Sequence, residues 1–221
     1  MTDLLESNHY LIRKKLLKIL GEKFHIYSDD NQEDLIGYSY QKALKLKEDI
    51  RVYTDESETE EILRIKARNI LDLSGGYDFT DSKTGESLGG VRRNFRKSIL
   101  RDSYSVFDPD NNVYAEVKED SMFNALIRRF VPPAKFFFPQ QFSLNFEGNP
   151  RITFTQKINP VIQKLTVDIS DGNQLHHRII LGTAMIIIAN EGRQNSLFLD
   201  FNLIWEGFSC TNMATIQIGM V

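Results

Sequence analysis

The sequence has little cysteine, no long apolar run and no surplus of positive charge. Cys210 is the single cysteine among 221 residues, so no intramolecular disulfide can form and a reducing compartment is expected. Residues 1–8 are polar and acidic, which predicts no secretory signal. The formal net charge of −3 gives no overall indication of nucleic-acid binding. We therefore expect a cytoplasmic globular protein without a nucleic-acid partner.

Local motifs for catalysis and metal binding are also missing. The sequence contains no phosphate-cradling glycine loop, no nucleophile elbow and no paired-cysteine motif. His176 and His177 are adjacent, so on a helix they would project about 100° apart and could not share a metal ion. We predict no catalytic residue, no metal site and no cofactor, although an active site assembled from distant residues would leave no local signal.

The segment Asp108–Glu119 partly mimics a calcium-binding EF-hand loop, because acidic and amide side chains recur at the ligand positions. However, Val113 stands where the sharp turn of such a loop needs glycine, and the residues after it alternate like a strand. We interpret Asn111 and Asn112 as a hairpin turn that tolerates a positive φ angle.

An apolar run, Ile179–Ala189, follows Arg178 and has no polar stripe at helical spacing. A helix that is apolar on all sides is buried either in protein or in lipid. The run is about half as long as the roughly 20 residues that a bilayer-spanning helix needs. We therefore predict a helix buried inside this protein, which requires a wall around it.

Short alternating runs that end in Asp, Asn or Gly recur before this helix, as in Ile50–Ser57 and Tyr104–Asn112. Alternation with β-branched and aromatic residues indicates strands, and the turn residues indicate hairpins. Twelve strands are predicted, near Tyr10–Leu17, Lys23–Tyr27, Leu35–Gln41, Asp49–Tyr53, Glu61–Arg68, Gly76–Thr80, Ser87–Arg93, Ser103–Phe107, Val113–Lys118, Gln141–Phe146, Arg151–Lys157 and Gln163–Ile169.

The region Asp120–Pro139 interrupts this pattern, and a short helix is predicted at Met122–Phe130 before Pro132 and Pro133. A sheet of so many strands leaves exposed edges unless it closes on itself. The predicted fold is therefore mainly β, a closed antiparallel barrel of about twelve strands around a central hydrophobic C-terminal α-helix.

Several segments resemble the LURP-one-related proteins, which form one superfamily with tubby C-terminal domains and phospholipid scramblases. The similar segments are Tyr10–Lys15, Tyr77–Arg93, Lys97–Asp110, Glu119–Ser121, Leu126–Phe130 and His177–Gly182. The resemblance covers roughly residues 10–193. It implies a tubby C-terminal-like barrel of twelve strands around a hydrophobic helix, but it implies no enzymatic activity.

The resulting domain prediction has three parts. Residues 1–9 are an N-terminal tail, residues 10–193 are the barrel with its central helix at 175–191, and residues 194–221 are a C-terminal extension. The extension is apolar in part and contains Cys210. It is a candidate for packing on the barrel exterior or for docking a protein partner.

Seven basic residues are candidates for binding lipid head groups or other anions: Arg92, Arg93, Arg96, Lys97, Arg101, Arg128 and Arg129. The resemblance implies such a site, because tubby-like domains bind phosphoinositide head groups through a basic pocket. Each cation near an anionic surface contributes about 1 kcal/mol. The alternative is that these are ordinary solvated charges on barrel strands.

Three functions stay open. The first is a non-enzymatic domain that binds phosphoinositides, other anionic phospholipids or a protein partner at membranes. The second is a phospholipid scramblase-like protein, which is less favoured because scramblases usually carry an acylated cysteine-rich region and this chain has one cysteine. The third is a soluble protein-interaction scaffold with no lipid ligand, since a fold by itself does not define a function. The first two imply peripheral contact of a cytoplasmic protein with membranes.

Overall fold

Twelve strands and one helix account for most of the chain that the structure, a computed structural model, describes, namely residues 4–17, 21–42, 49–68, 76–94, 103–120, 140–146, 151–157 and 162–190. The strands are β1 (His9–Leu17), β2 (Gly21–Tyr27), β3 (Leu35–Lys42), β4 (Asp49–Tyr53), β5 (Glu61–Ala67), β6 (Gly76–Asp81), β7 (Ser87–Arg93), β8 (Ser103–Phe107), β9 (Val113–Glu119), β10 (Gln140–Phe146), β11 (Ile152–Lys157) and β12 (Ile162–Ile169). Helix α1 is described over residues 177–190.

The sheet closes into a barrel in which each strand pairs with its neighbours in sequence. The ring is completed by β1 and β12, which run antiparallel with Tyr10 opposite Val167 and Ile12 opposite Leu165. All the pairings are antiparallel, as expected for strands joined by short connections. The predicted fold class is confirmed, and each predicted strand end lies within two residues of the observed one.

Alternation of side chains explains why these segments form a wall with an apolar interior. In β12, Leu165 and Val167 are fully buried while Lys164 and Thr166 between them are only half-buried. Because successive side chains on a strand point to opposite faces, each strand contributes its buried residues to the lumen. The apolar inner residues of all the strands form one core cluster with the helix.

The central helix is buried on every side, as the apolar run predicts. Every residue from Ile179 to Ile188 is buried, and the hydroxyl of Thr183 donates a hydrogen bond to the carbonyl oxygen of Ile179 at 2.8 Å. Gly182 faces β6 so closely that a Cβ atom there would lie 2.8 Å from the ring of Phe79. Helix and wall therefore pack in direct contact.

Polar groups, among them His177, hold the start of the helix at the mouth of the barrel. The Tyr10 hydroxyl lies 2.8 Å from Nδ1 of His177 and donates to the carbonyl oxygen of Leu4 at 2.8 Å. Burial, followed by the charge of His176, lowers the pKa of His177. Arg178 is buried next to the helix start, where its guanidinium contacts Asp81 at 3.3 Å.

The hairpin interpretation of Asn111 is confirmed, because this residue has a φ of 68° and its backbone N–H donates to the carbonyl of Asp108. Part of the predicted N-terminal tail contributes to the core, since the side chain of Leu4 is buried in it. The predicted short helix at Met122–Phe130, the C-terminal extension 194–221 and Cys210 lie outside the described residues.

A charge placed on the central helix should unfold the barrel. Ile187 is fully buried, so Ile187→Lys would leave an unpaired ammonium inside the lumen and should cost about 3 kcal/mol or more. Urea unfolding followed by circular dichroism measures this loss. Val113→Lys, at a position 50% exposed on β9, is the control and should change stability by less than about 0.5 kcal/mol. An Ile187→Lys protein as stable as the native one would contradict the central position of the helix.

Candidate anion-binding surface

Two of the seven predicted basic residues, Arg92 and Arg93, lie in the described part of the chain, on strand β7. Arg92 is exposed, whereas Nε of Arg93 is buried beside the inner residues Tyr77 and Tyr104. Burial raises the pKa of Tyr77, and the Arg93 charge opposes that rise. The two arginines therefore face opposite sides of the wall. Arg96, Lys97, Arg101, Arg128 and Arg129 lie outside the described residues.

A different group of cations lies together on the outer wall, and we call it the basic strip. It consists of Arg13 and Lys15 on β1, Lys23 on β2 and Lys164 on β12. Arg13 is directly opposite Lys164, and Lys15 is directly opposite Lys23. Side chains opposed in this way have Cβ atoms about 5 Å apart. Three adjacent strands thus present four cations to solvent.

The outward direction of these cations follows from the register of the strands. Ile12 and Lys14 on β1 are fully buried, so Arg13 and Lys15, which alternate with them, point outward. Phe24 on β2 and Leu165 on β12 are buried in the same way, which turns Lys23 and Lys164 outward. Lys15 is exposed, and the other three cations are half-buried.

The part of the chain that the structure describes places no compensating carboxylate against the basic strip. Within the described ranges, none of its four cations forms an ion pair, although ion pairs are frequent elsewhere on the wall. Like charges directly opposite each other across two strands are destabilising. The surface therefore carries repulsion that a bound anion would relieve.

The neighbouring pair of β4 and β5 shows how this barrel otherwise treats opposed cations. Arg51 lies directly opposite Arg64, but Asp49 is placed between them. Its Oδ2 atom is 3.0 Å from Arg51 and 2.8 Å from Arg64. Burial alone would raise the pKa of Asp49, but hydrogen bonds from Arg64 and Arg51 outweigh it and hold the pKa below its usual value. No described residue takes the place of Asp49 in the basic strip.

Aromatic rings border the strip on the β3 side. The ammonium group of Lys23 lies 5.8 Å from the ring centre of Tyr38 and 6.0 Å from that of Tyr40. Burial raises the pKa of Tyr38, and the nearby charge of Lys23 opposes that rise. These cation–π contacts hold Lys23 against the wall without neutralising its charge.

Carboxylates limit the strip toward the other end of the same strands. His25, opposite Arg13, contacts Glu56 at 3.0 Å, and His9 on β1 contacts Asp168 at 2.8 Å. The positive charge is therefore confined to one end of the wall, which is the end that holds the C-terminal part of α1. Such a patch suits a ligand with several negative charges, because clustered cations attract phosphate groups.

Sequence reasoning missed this strip because two of its strands meet only when the barrel closes. The run Arg13-Lys14-Lys15 was visible, and alternation would turn its first and third side chains outward. However, the neighbours Lys23 and Lys164 depend on the register of β2 and β12 against β1. The predicted cluster rested on charge density along the chain, which does not distinguish the two faces of a strand.

The described residues contain no helix that is long and apolar enough to cross a membrane. They also contain no group of three or more His, Cys, Asp or Glu side chains arranged to hold a metal ion.

Comparison with known proteins gives one family. The family model described as LURP-one-related matches residues 36–188, which is more than half of the chain. No curated protein matches, and no solved structure matches. The matched range includes Lys164 of the basic strip, whereas Arg13, Lys15 and Lys23 precede it.

Reversing one charge in the strip should stabilise the protein. Lys15→Glu would replace the repulsion with Lys23 by attraction and should add up to about 1 kcal/mol, or roughly 2–4 °C in melting temperature. Lys66→Glu is the matched control, because Lys66 lies opposite Asp49 and Asp78 and its reversal should reduce stability. Urea unfolding at low salt measures both, and the effects should shrink in high salt. A loss of stability in Lys15→Glu would contradict the assignment.

Proposed function

The chain belongs to the LURP-one-related family, and from this membership we propose that it is a non-enzymatic binding domain whose basic strip contacts the anionic head groups of phospholipids. The observation that supports this proposal is that the two pairs of opposed cations, Arg13 with Lys164 and Lys15 with Lys23, have no carboxylate partner among the described residues. A protein that needed only a stable wall would gain by placing an acid among them, as Asp49 is placed on β4.

A phospholipid surface fits the strip better than a nucleic acid does. The whole chain carries a net charge of −3, so a long polyanion would meet repulsion beyond the strip. Four cations at an anionic surface contribute on the order of 4 kcal/mol, which corresponds to a dissociation constant of about 1 mM. Binding through the strip alone is then weak and reversible, and a head group with several phosphates would strengthen it.

The predicted site around Arg92 stays a second hypothesis about the same activity. In the closed strand order, β7 lies six strands from β1 in either direction, so Arg92 and the basic strip are on opposite walls of the barrel. One flat membrane could not contact both at once. Separate charge reversals of the two sets therefore identify the wall that meets the lipid.

Vesicle co-sedimentation tests the proposal. Native protein should bind vesicles that contain phosphatidylserine or phosphoinositide and should not bind phosphatidylcholine vesicles. Lys15→Glu with Lys164→Glu should weaken binding by about 30-fold, because two contacts of about 1 kcal/mol each are lost. The control, Lys66→Glu with Lys118→Glu, changes the net charge equally on exposed residues outside the strip and should bind like the native protein.

The other outcomes separate the remaining functions. Equal loss of binding in both double variants would contradict a role for the strip. If instead binding is lost when Arg92, Arg93, Arg96 and Lys97 are reversed, the lipid is bound by β7 and the chain after it. If native protein does not bind acidic vesicles, that result would contradict lipid binding and favour a protein-interaction scaffold. Movement of labelled lipid across reconstituted vesicles would favour a scramblase-like activity.

A further inference from the structure

The inner face of the barrel is polar at the end where the described part of α1 finishes. Six strands that follow one another around the barrel, from β3 through β1 to β10, each turn one polar side chain inward at this end. We call this set the polar arc: Gln41, Glu22, Lys14, Gln163, Gln156 and Gln140. The alternation of side chains along each strand shows that the polar arc points into the lumen, because its residues occupy the same face as the buried Phe24, Phe154 and Leu165.

The polar arc is enclosed. Lys14 and Gln156 are 0% exposed, and Gln163 is 1% exposed. Gln163 lies directly opposite Lys14, and Gln140 lies directly opposite Gln156. Side chains from neighbouring strands therefore converge on one region of the lumen.

The charged members of the arc neutralise each other. The ammonium of Lys14 lies 2.9 Å from a carboxylate oxygen of Glu22 and 3.5 Å from the carbonyl oxygen of Ile188 in α1. The partially negative C-terminal end of a helix favours a cation at this place. The contacts of Lys14 with Glu22 and with α1 therefore account for the burial of these two charges.

The amides of Gln41, Gln156 and Gln163 have no such explanation. Neither the nitrogen nor the oxygen of the Gln41 and Gln156 side-chain amides has a hydrogen-bond partner among the described residues. The side-chain oxygen of Gln163 and the hydroxyl of Ser39, which is fully buried next to Gln41 on β3, also have none. Leaving a buried polar group unsatisfied is unfavourable, and folded proteins rarely do so.

We propose that the polar arc is an internal binding site for hydroxyl-bearing molecules, either ordered water or a small neutral polyol in its place. A side-chain amide has N–H donors and an oxygen acceptor. A hydroxyl group can accept a hydrogen bond from the N–H and donate one to the oxygen. An anion is disfavoured, because Lys14 is already paired and Glu119 is buried on β9, the next strand around the barrel. The site is independent of the basic strip, which occupies the outer face.

The sequence supports a site rather than a packing defect. Leucine or methionine would fill these positions at similar volume, and replacing buried polar groups by apolar ones is often neutral or stabilising. Inner positions farther along the same strands, such as Ile12, Phe154 and Val167, are apolar. Four unsatisfied polar side chains at one level therefore indicate something that binds there.

Two measurements on the full chain test the site and distinguish its occupants. In the water experiment, NMR cross-relaxation between water and the side-chain amide protons of Gln41 and Gln156 should show long-lived bound water. In the polyol experiment, thermal unfolding is followed while glycerol or myo-inositol is added, with sucrose as the control for general stabilisation by cosolvents. A polyol that binds the native protein should raise the melting temperature with the logarithm of its concentration above its dissociation constant, by about 3–6 °C at ten times that constant and beyond the shift given by sucrose.

Gln156→Met is the test variant, and Gln141→Met, at an exposed position of β10, is its control. The test variant should lose the bound-water signal at the Gln41 amide or the polyol shift in excess of sucrose, whereas the control should keep both. The proposal is overturned if the native protein shows neither long-lived water nor a polyol shift in excess of sucrose, or if Gln156→Met keeps the native water signal at Gln41 or the native polyol shift. Circular dichroism confirms that each variant is folded before it is scored.

Discussion

The pairing of β1 with β12 is the contact on which the rest of the structure depends. It joins the first strand to the last along a register that runs from His9 opposite Asp168 to Lys15 opposite Ile162. Without this closure two strand edges would be open and one side of the central helix would meet water, although the helix has no polar side to offer. The same pairing places Lys164 beside Arg13, so the outer charge pattern is a consequence of closure.

Strand alternation couples the inner and outer surfaces of the wall. Arg13, Lys14 and Lys15 are consecutive, and they point outward, inward and outward. A slip of one residue would bring Arg13 and Lys15 into the lumen and separate Lys14 from Glu22. The buried ion pair therefore helps to fix the register, and the register in turn fixes the basic strip. Neither surface can be altered by a shift of the strand without loss of the other.

Much of the fold was predictable because its signals are local. Alternation within each strand and the uninterrupted apolar run Ile179–Ala189 gave the wall and the helix without knowledge of which strands meet. The charged surface was harder to predict from the sequence, because Lys23 and Lys164 become neighbours of Lys15 and Arg13 only through the long-range pairing of strands. The predicted strand Ser87–Arg93 already implied that Arg92 and Arg93 point in opposite directions. The predicted site nevertheless grouped them, because it was based on the density of charge along the chain.

The contrast between Arg51 with Arg64 and the two opposed pairs of the basic strip connects stability with the proposed function. On β4 and β5 the repulsion between Arg51 and Arg64 is removed by Asp49, so the wall can arrange such a compensation where only stability matters. Across β12, β1 and β2, no carboxylate of the described residues removes the repulsion between the opposed cations. The energy at stake is about 1 kcal/mol or less for each pair, which a core filled by a fully buried helix can tolerate. The buried helix thus gives the wall enough stability to carry an unfavourable charge arrangement, which in the proposed function an anionic ligand would relieve.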